Sequence, residues 1–339
     1  MVIVFANKQP SAWETLVAAL IRSGFVVDAS WPIQTEMANR TNAQTTASLA
    51  SSVWLVCRKR ETAIRPGWDN NVLTEMRENI TQKLRDFWDA GIRGPDFVWA
   101  ATGPAMEAFS KYPVVKKAND PNQLMTVSEF LREVRRMVVD FVVGRVLTHD
   151  GGEEVVTGLD DVTTYYLLHR HDFGMDEAPI GACILYALSC NLSDSALVTQ
   201  FDVLAQSGKP SAGTNDDSDE TAEDAGEDEG SGSGAKVKLR AWNHRRGRNL
   251  GLEAPGGRPV PIIDQVHKLM HLWRSGDQLK VDDYLDSRGL NRNALFNQIL
   301  QALIELAASG SDERSLLESL SNHVAARGGI SAPRQGQLV

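Results

Sequence analysis

The sequence predicts an α/β segment followed by a mostly helical remainder. Three observations carry that reading. Short apolar runs rich in β-branched residues are confined to the first sixty positions. Apolar stripes at spacings of three and four begin near residue 70. One acidic stretch rich in Ser and Gly interrupts the chain near residue 220.

Each element has a local reason. Val2-Ile3-Val4-Phe5 is a continuous apolar run, the pattern of a strand buried on both faces of a parallel sheet. Such a strand at the first residue leads us to expect an upstream part. Ser11 and Glu14 have capping-box spacing. Trp13, Leu16, Val17, Leu20 and Ile21 then share one helical face, and Gly24 ends the helix. Phe25-Val26-Val27 opens a second strand toward Ser30-Trp31-Pro32, and a polar loop covers 34–48. Ser52 to Cys57 is a third strand, closed by Arg58-Lys59-Arg60. The runs 25–29 and 52–57 are expected to pair antiparallel. Phe97-Val98-Trp99-Ala100 is an apolar segment with a turn behind it at Gly103-Pro104; Trp99, Phe109 and Tyr112 suit a core, or else a DNA-facing surface.

Apolar stripes predict helices over 72–90, 127–147, from Asp160 to His169, and 179–189. Residues 211–234 read as a disordered linker. Helical patterns return over 261–273, 282–284 and 291–308 as a small satellite bundle. The expected organisation is therefore a sheet segment (1–62), a helical domain (63–205), an acidic linker (206–235), a basic stretch with the bundle (236–327) and a loose tail (328–339).

The formal charge of −9 resides in that linker. Asp216, Asp217, Asp219, Glu220, Glu223, Asp224, Glu227, Asp228 and Glu229 stand without a basic neighbour; the rest of the chain holds 35 acidic and 35 basic side chains. A neutral body carries no electrostatic signature of its partner. No run of 18 apolar residues exists, so no membrane span or membrane partner is expected, and no secretory signal opens the chain. Cys57, Cys183 and Cys190 form no CxxC pair, which suits a reducing cytoplasm and excludes a four-cysteine zinc site within this chain.

Two histidine strings test for metal and fail on spacing. His169-Arg170-His171-Asp172 has ligand residue types, but no second Cys or His cluster supports it. His267 and His271 stand at i and i+4, yet Lys268 sits where a metalloprotease needs Glu. No GxSxG elbow is present.

The string VIVFANKQPSAWETLVAALIRSGFVVDASWPIQTEMANR, followed by ASLASSVWLVCRKR, resembles the end of the catalytic domain in large adenine-specific DNA methylases. Those proteins begin with a domain of unknown function, carry a zinc-ribbon insertion and often lie in anti-phage defence islands of restriction-modification type. The similarity continues through GPDFVWAATGPAMEAFSKYPVVKKAN, FLREVRRMVVDFVVGRVL and LDDVTTYYLLHRHDFGMDEAPIGACILYALSC, about the first 200 residues. It implies the C-terminal part of a Rossmann-like methyltransferase sheet, in which the final three strands include a reversed hairpin. It also implies S-adenosylmethionine as cofactor and transfer of its methyl group to the exocyclic amine of adenine. The family's catalytic Asp-Pro-Pro-Tyr is absent: the one Asp-Pro here, Asp120-Pro121, is followed by Asn122-Gln123. The family's glycine-rich cofactor turn is absent too. The expectation is a chain inactive alone, working with an upstream part or partner chain. A non-catalytic DNA-binding or assembly subunit, and a degenerate remnant, are the alternatives.

Two candidate surfaces follow. Ligands of open α/β sheets bind at the carboxyl ends of the strands, which places Asn7, Lys8 and the SWPIQTE loop together. A base extruded from a duplex needs a stacking platform. Trp31 suits that role with Pro32 stiffening its loop, Thr35 and Glu36 meeting a base edge, and Arg40 reaching phosphate; Trp31 suits a core-capping role as well. The second surface is basic. Lys236, Lys238, Arg240, Arg245, Arg246 and Arg248 flank Trp242 with no acid among them, a composition suited to phosphates and one stacked base. The acidic linker beside it could equally neutralise it. Arg58-Lys59-Arg60 suits phosphates more weakly, or a solvated strand end.

Overall fold

Three antiparallel strands with a helix between the first two open the chain. The computed structural model describes residues 1–5, 7, 10–34, 51–60, 65–147, 158–207 and 236–328. Strand β1 (Val2–Phe5) leads to helix α1 (Pro10–Arg22), then β2 (Phe25–Gln34) and β3 (Ser51–Lys59). The sheet order is β1-β3-β2, with β3 antiparallel to both neighbours. β1 and β2 therefore run the same way, and α1 is the crossover between them. The expected antiparallel pairing of the second and third strands is present. The expected double burial of β1 is not: Val2 and Val4 are each 55% exposed, while Ile3 and Phe5 pack inward. The run is apolar on both faces, but only one face is covered.

The covered face is organised by Trp13. Its ring stacks on Trp99 at 4.9 Å and meets Phe5 edge-on at 4.9 Å, and its Nε1–H donates to the Asn7 carbonyl at 2.9 Å. Val17, Leu20 and Ile21 complete the buried stripe of α1. The capping box read into Ser11 and Glu14 does not form, because α1 already starts at Pro10. Glu14 reaches across instead, accepting a 3.2 Å hydrogen bond from Ser128 and standing 3.8 Å from Arg135.

The helical part follows the apolar periodicity closely. After the short strand β4 (Gly67–Trp68) come α2 (Asp69–Asp89), α3 (Gly94–Ser110), the short strand β5 (Val115–Lys116) and α4 (Val127–Leu147). α4 starts with a true capping box: Thr126 Oγ1 accepts from the Glu129 amide, and Glu129 accepts from the Thr126 amide. That bond and Lys117 hold the Glu129 carboxyl down to about 2. The turn expected at Gly103-Pro104 is absent; α3 runs straight through both. Pro104 costs the helix one backbone bond. Gly103 explains why the helix is kept: a Cβ there would come within 1.9 Å of Ser30 Cβ, so α3 lies directly against β2. The Ser110 hydroxyl at the end of α3 accepts from the Val27 amide, beside the bulge between Val27 and Ala29.

The remaining elements are α5 (Asp161–Phe173), β6 (Ala178–Pro179), α6 (Ile180–Ser189), α7 (Asp194–Thr199), β7 (Leu204–Ser207), β8 (Lys236–Leu239), α8 (Ile262–Arg274), α9 (Gln278–Arg288), α10 (Ala294–Leu306) and α11 (Asp312–Gly328). Residues 236–328 do not stand apart as a satellite. β8 inserts between β6 and β7, antiparallel to both. The Asp160 carboxylate caps α5 through the Thr163 amide and also accepts from the Ile262 amide at the start of α8. One continuous apolar core runs through both parts. Among the described residues, no helix is long and apolar enough to cross a membrane.

Candidate functional site

The outer face of the three-stranded sheet is the one place where large apolar side chains gather in solvent. Side chains alternate along a strand, so register partners share a face. Val4, Trp54 and Trp31 form one row across β1, β3 and β2; Val2, Val56 and Ala29 form the next. Trp31 is 61% exposed and Trp54 38%, so Trp31 is no core cap. Ile33, two residues beyond Trp31, is 37% exposed. Phe5, Val53 and Pro32 are in register, so the carboxyl ends of β1 and β2 lie at the same end of the sheet. Pro32 is held in β2 opposite Val53. Lys8, Thr35, Glu36 and Arg40 lie outside the described residues.

Trp54, Val2 and Val4 were not singled out as surface residues by sequence reading. A strand that looks continuously apolar gives no indication of which face lacks a cover.

The basic stretch divides into two populations. β8 alternates: Lys236 and Lys238 are exposed, Val237 and Leu239 buried. Lys236 pairs with Glu177 at 3.4 Å and Arg240 with Asp202 at 2.8 Å. Arg246 is exposed, its Nε–H turned back to the Asn243 carbonyl at 2.7 Å, and Arg248 is exposed. Trp242 and Arg245, expected at the centre of a nucleic-acid surface, are instead interior. Trp242 is 6% exposed, against His271 at 5.1 Å with the Arg274 guanidinium over its ring.

Arg245 is fully buried. Its Nε–H donates to the Asp202 carbonyl at 2.9 Å. Its Nη2 donates to the Phe201 carbonyl at 2.8 Å and to Asp264 at 2.6 Å, and its Nη1 to His267 Nδ1 at 2.7 Å. Guanidinium only donates, so His267 accepts and is neutral; burial and the Arg245 charge both lower its pKa. The sequence hid this because Asp264 is nineteen residues from Arg245. Arg60 is similarly structural, donating to the Ser110, Ile21 and Phe25 carbonyls, while Arg58 pairs with Asp28.

The histidine string is no metal site. His169 Nδ1 faces Tyr165 Oη at 3.3 Å and Cys183 Sγ at 3.7 Å in the core, whereas His171 turns to Asp172 and stacks on Trp88. No group of three metal-ligating side chains exists among the described residues. Burial pushes the Cys183 thiol up to about 12 and His169 down to about 4, the reverse of a thiolate–imidazolium nucleophile. A narrow apolar crevice between Trp88, Phe97, Val138, Leu168 and Tyr186 has Arg93 and Asp172 beside it. Arg93 stacks on Trp88, and Asp172 accepts from Tyr186, so both polar groups are engaged.

The described residues do not fit S-adenosylmethionine. β1 leads into α1 through a connection without glycine, and no deep cleft with a free carboxylate opens at the strand ends. No family model, curated protein or solved structure matches this chain.

Proposed function

We propose that this chain is the sheet-completing, target-side portion of an S-adenosylmethionine-dependent adenine-specific DNA methyltransferase, with the cofactor-binding and catalytic motifs carried by another part. The observation that supports this is the reversed central strand: β3 runs against β1 and β2, which are joined by the crossover helix α1. That is the reversed hairpin the sequence resemblance implies for the end of such a sheet. The chain's own contribution is positional. It brings the carboxyl ends of β1 and β2 together and presents Trp31, an exposed ring suited to stacking on an extruded base, near that end.

The test supplies what the chain lacks. The chain is mixed with the catalytic portion of a methylase of the resembling family, cut immediately before its last three strands. Transfer of labelled methyl from the cofactor to adenine in duplex DNA is then measured. The expected result is transfer by the mixture and none by either component. Micromolar cofactor binding by this chain alone, or no transfer by the mixture, overturns the reading.

A further inference from the structure

Five of the twelve exposed large apolar side chains, Val2, Val4, Trp31, Ile33 and Trp54, lie on the same face of one small sheet. The patch adjoins a second open feature. Met1 and Cys57 exchange both backbone hydrogen bonds at 2.8 Å, Met1 N to Cys57 O and Cys57 N to Met1 O. In an antiparallel ladder the bonded pairs alternate. Ile3 and Phe5 therefore continue the bonded series toward β3, and the N–H and C=O groups of Val2 and Val4 point away from it. Among the described residues β1 pairs with β3 alone. The same two valines thus offer an unpaired backbone edge and a bare apolar face.

From this we infer that β1 and the adjoining outer face form the docking surface for a partner chain of α/β type, whose strand pairs along β1 and whose helix lies across Val2, Val4 and Trp54. The identity of that partner as the catalytic part rests on the proposed function; the surface and the partner's architecture rest on geometry. A second copy of this chain does not satisfy both features. Copies joined β1 to β1 close the edges but leave both faces bare. Copies joined face to face cover the faces but leave both edges open. The face alone is also small for a homodimer. Exposed patches of roughly 300–600 Å² are the largest found on ordinary monomers, and a standard interface takes about 800 Å² from each partner.

A strand followed by a helix meets both needs at once. A helix is about 10 Å across and strands are about 4.8 Å apart, so one helix spans β1 and β3 and leaves Trp31 on β2 at its rim. Asp28 and Arg58 neutralise each other at 2.8 Å, so that pair adds no net charge to the surface.

Two variants test the two features separately. Val4→Pro removes an edge N–H without touching the β3 ladder. Val2→Glu with Trp54→Glu charges the face. Both change exposed positions, and circular dichroism checks their folds. Binding of the same catalytic portion is measured by sedimentation. The expected result is a heterodimer with the wild-type chain, weakened at least tenfold by each variant. Equal binding by both variants, no heterodimer at all, or a wild-type homodimer that the variants dissolve would each overturn this surface assignment. A heterodimer that depends on both features yet transfers no methyl group supports the surface and overturns the functional reading instead.

Discussion

At the scale of single residues, charge proves a poor guide to exposure. Arg245 and Arg246 are sequence neighbours of one type, yet one is a buried clamp with four acceptors and the other an exposed side chain. Replacing Arg245 with Ala strands Asp264 in the core and frees two carbonyls. Breaking a buried pair in this way costs about 3–5 kcal/mol. Arg246→Ala and Arg248→Ala should each stay within about 0.5 kcal/mol; urea melts of the three variants check this. A triple variant at 245, 246 and 248 would therefore report unfolding rather than phosphate contact.

The buried imidazoles give a pH signature. His169 is lowered to about 4 by burial, and His267 is lowered by burial and Arg245. The unfolded chain takes up these protons below about 6.5 while the folded chain resists. Stability conferred by the neutral rings is thus complete above about 6.5 and is lost as pH falls from there toward 4, at up to about 1.4 kcal/mol per pH unit for each ring. Thermal melts between pH 7 and 4 should show this slope, and His169→Asn should reduce it. A slope unchanged in that variant would remove His169 from the account.

At the scale of elements, legibility depends on how local the cause is. α4 was readable from end to end, because Phe130, Leu131, Val134, Val138 and Val142 repeat on one face and bury there. The capping box before it sits in adjacent residues but was outweighed by the better-known spacing at Ser11 and Glu14, which tertiary contacts use otherwise. α3 was misread at Gly103-Pro104 because its reason is non-local: the missing side chain makes room for Ser30, seventy-three residues earlier. Gly103→Ala should force α3 off β2. Overpacking of this kind costs about 1–3 kcal/mol, and hydrogen exchange should show the β2 amides opening before those of α8. Equal protection of β2 in the variant would mean the sheet absorbs the methyl without moving. β8 shows the opposite error. Lys-Val-Lys-Leu alternates with a period of two and could have been read as a half-buried strand, but its lysines drew it into a charge cluster.

At the scale of the whole molecule, the strand–helix–strand–strand order of the first sixty residues was legible, and so was their separation from a helical body. The attachment of residues 236–328 to that body was not, since it depends on pairs far apart in sequence: Asp160 with Ile262, Arg170 with Glu313, and Phe201 with Arg245. Nor was the open sheet face, because a sequence records how apolar a strand is and not what covers it. The β7–β8 ladder and the Arg245 clamp have one more consequence. They join the chain on either side of 208–235 by backbone pairing and a buried ion pair. The covalent link through that stretch is therefore dispensable once folding is complete. A protease site inserted there and cleaved should yield two fragments that elute together from a gel-filtration column and separate only in denaturant. The protein should equally tolerate a fluorescent domain spliced into that stretch, or expression from two half-genes that find each other during synthesis.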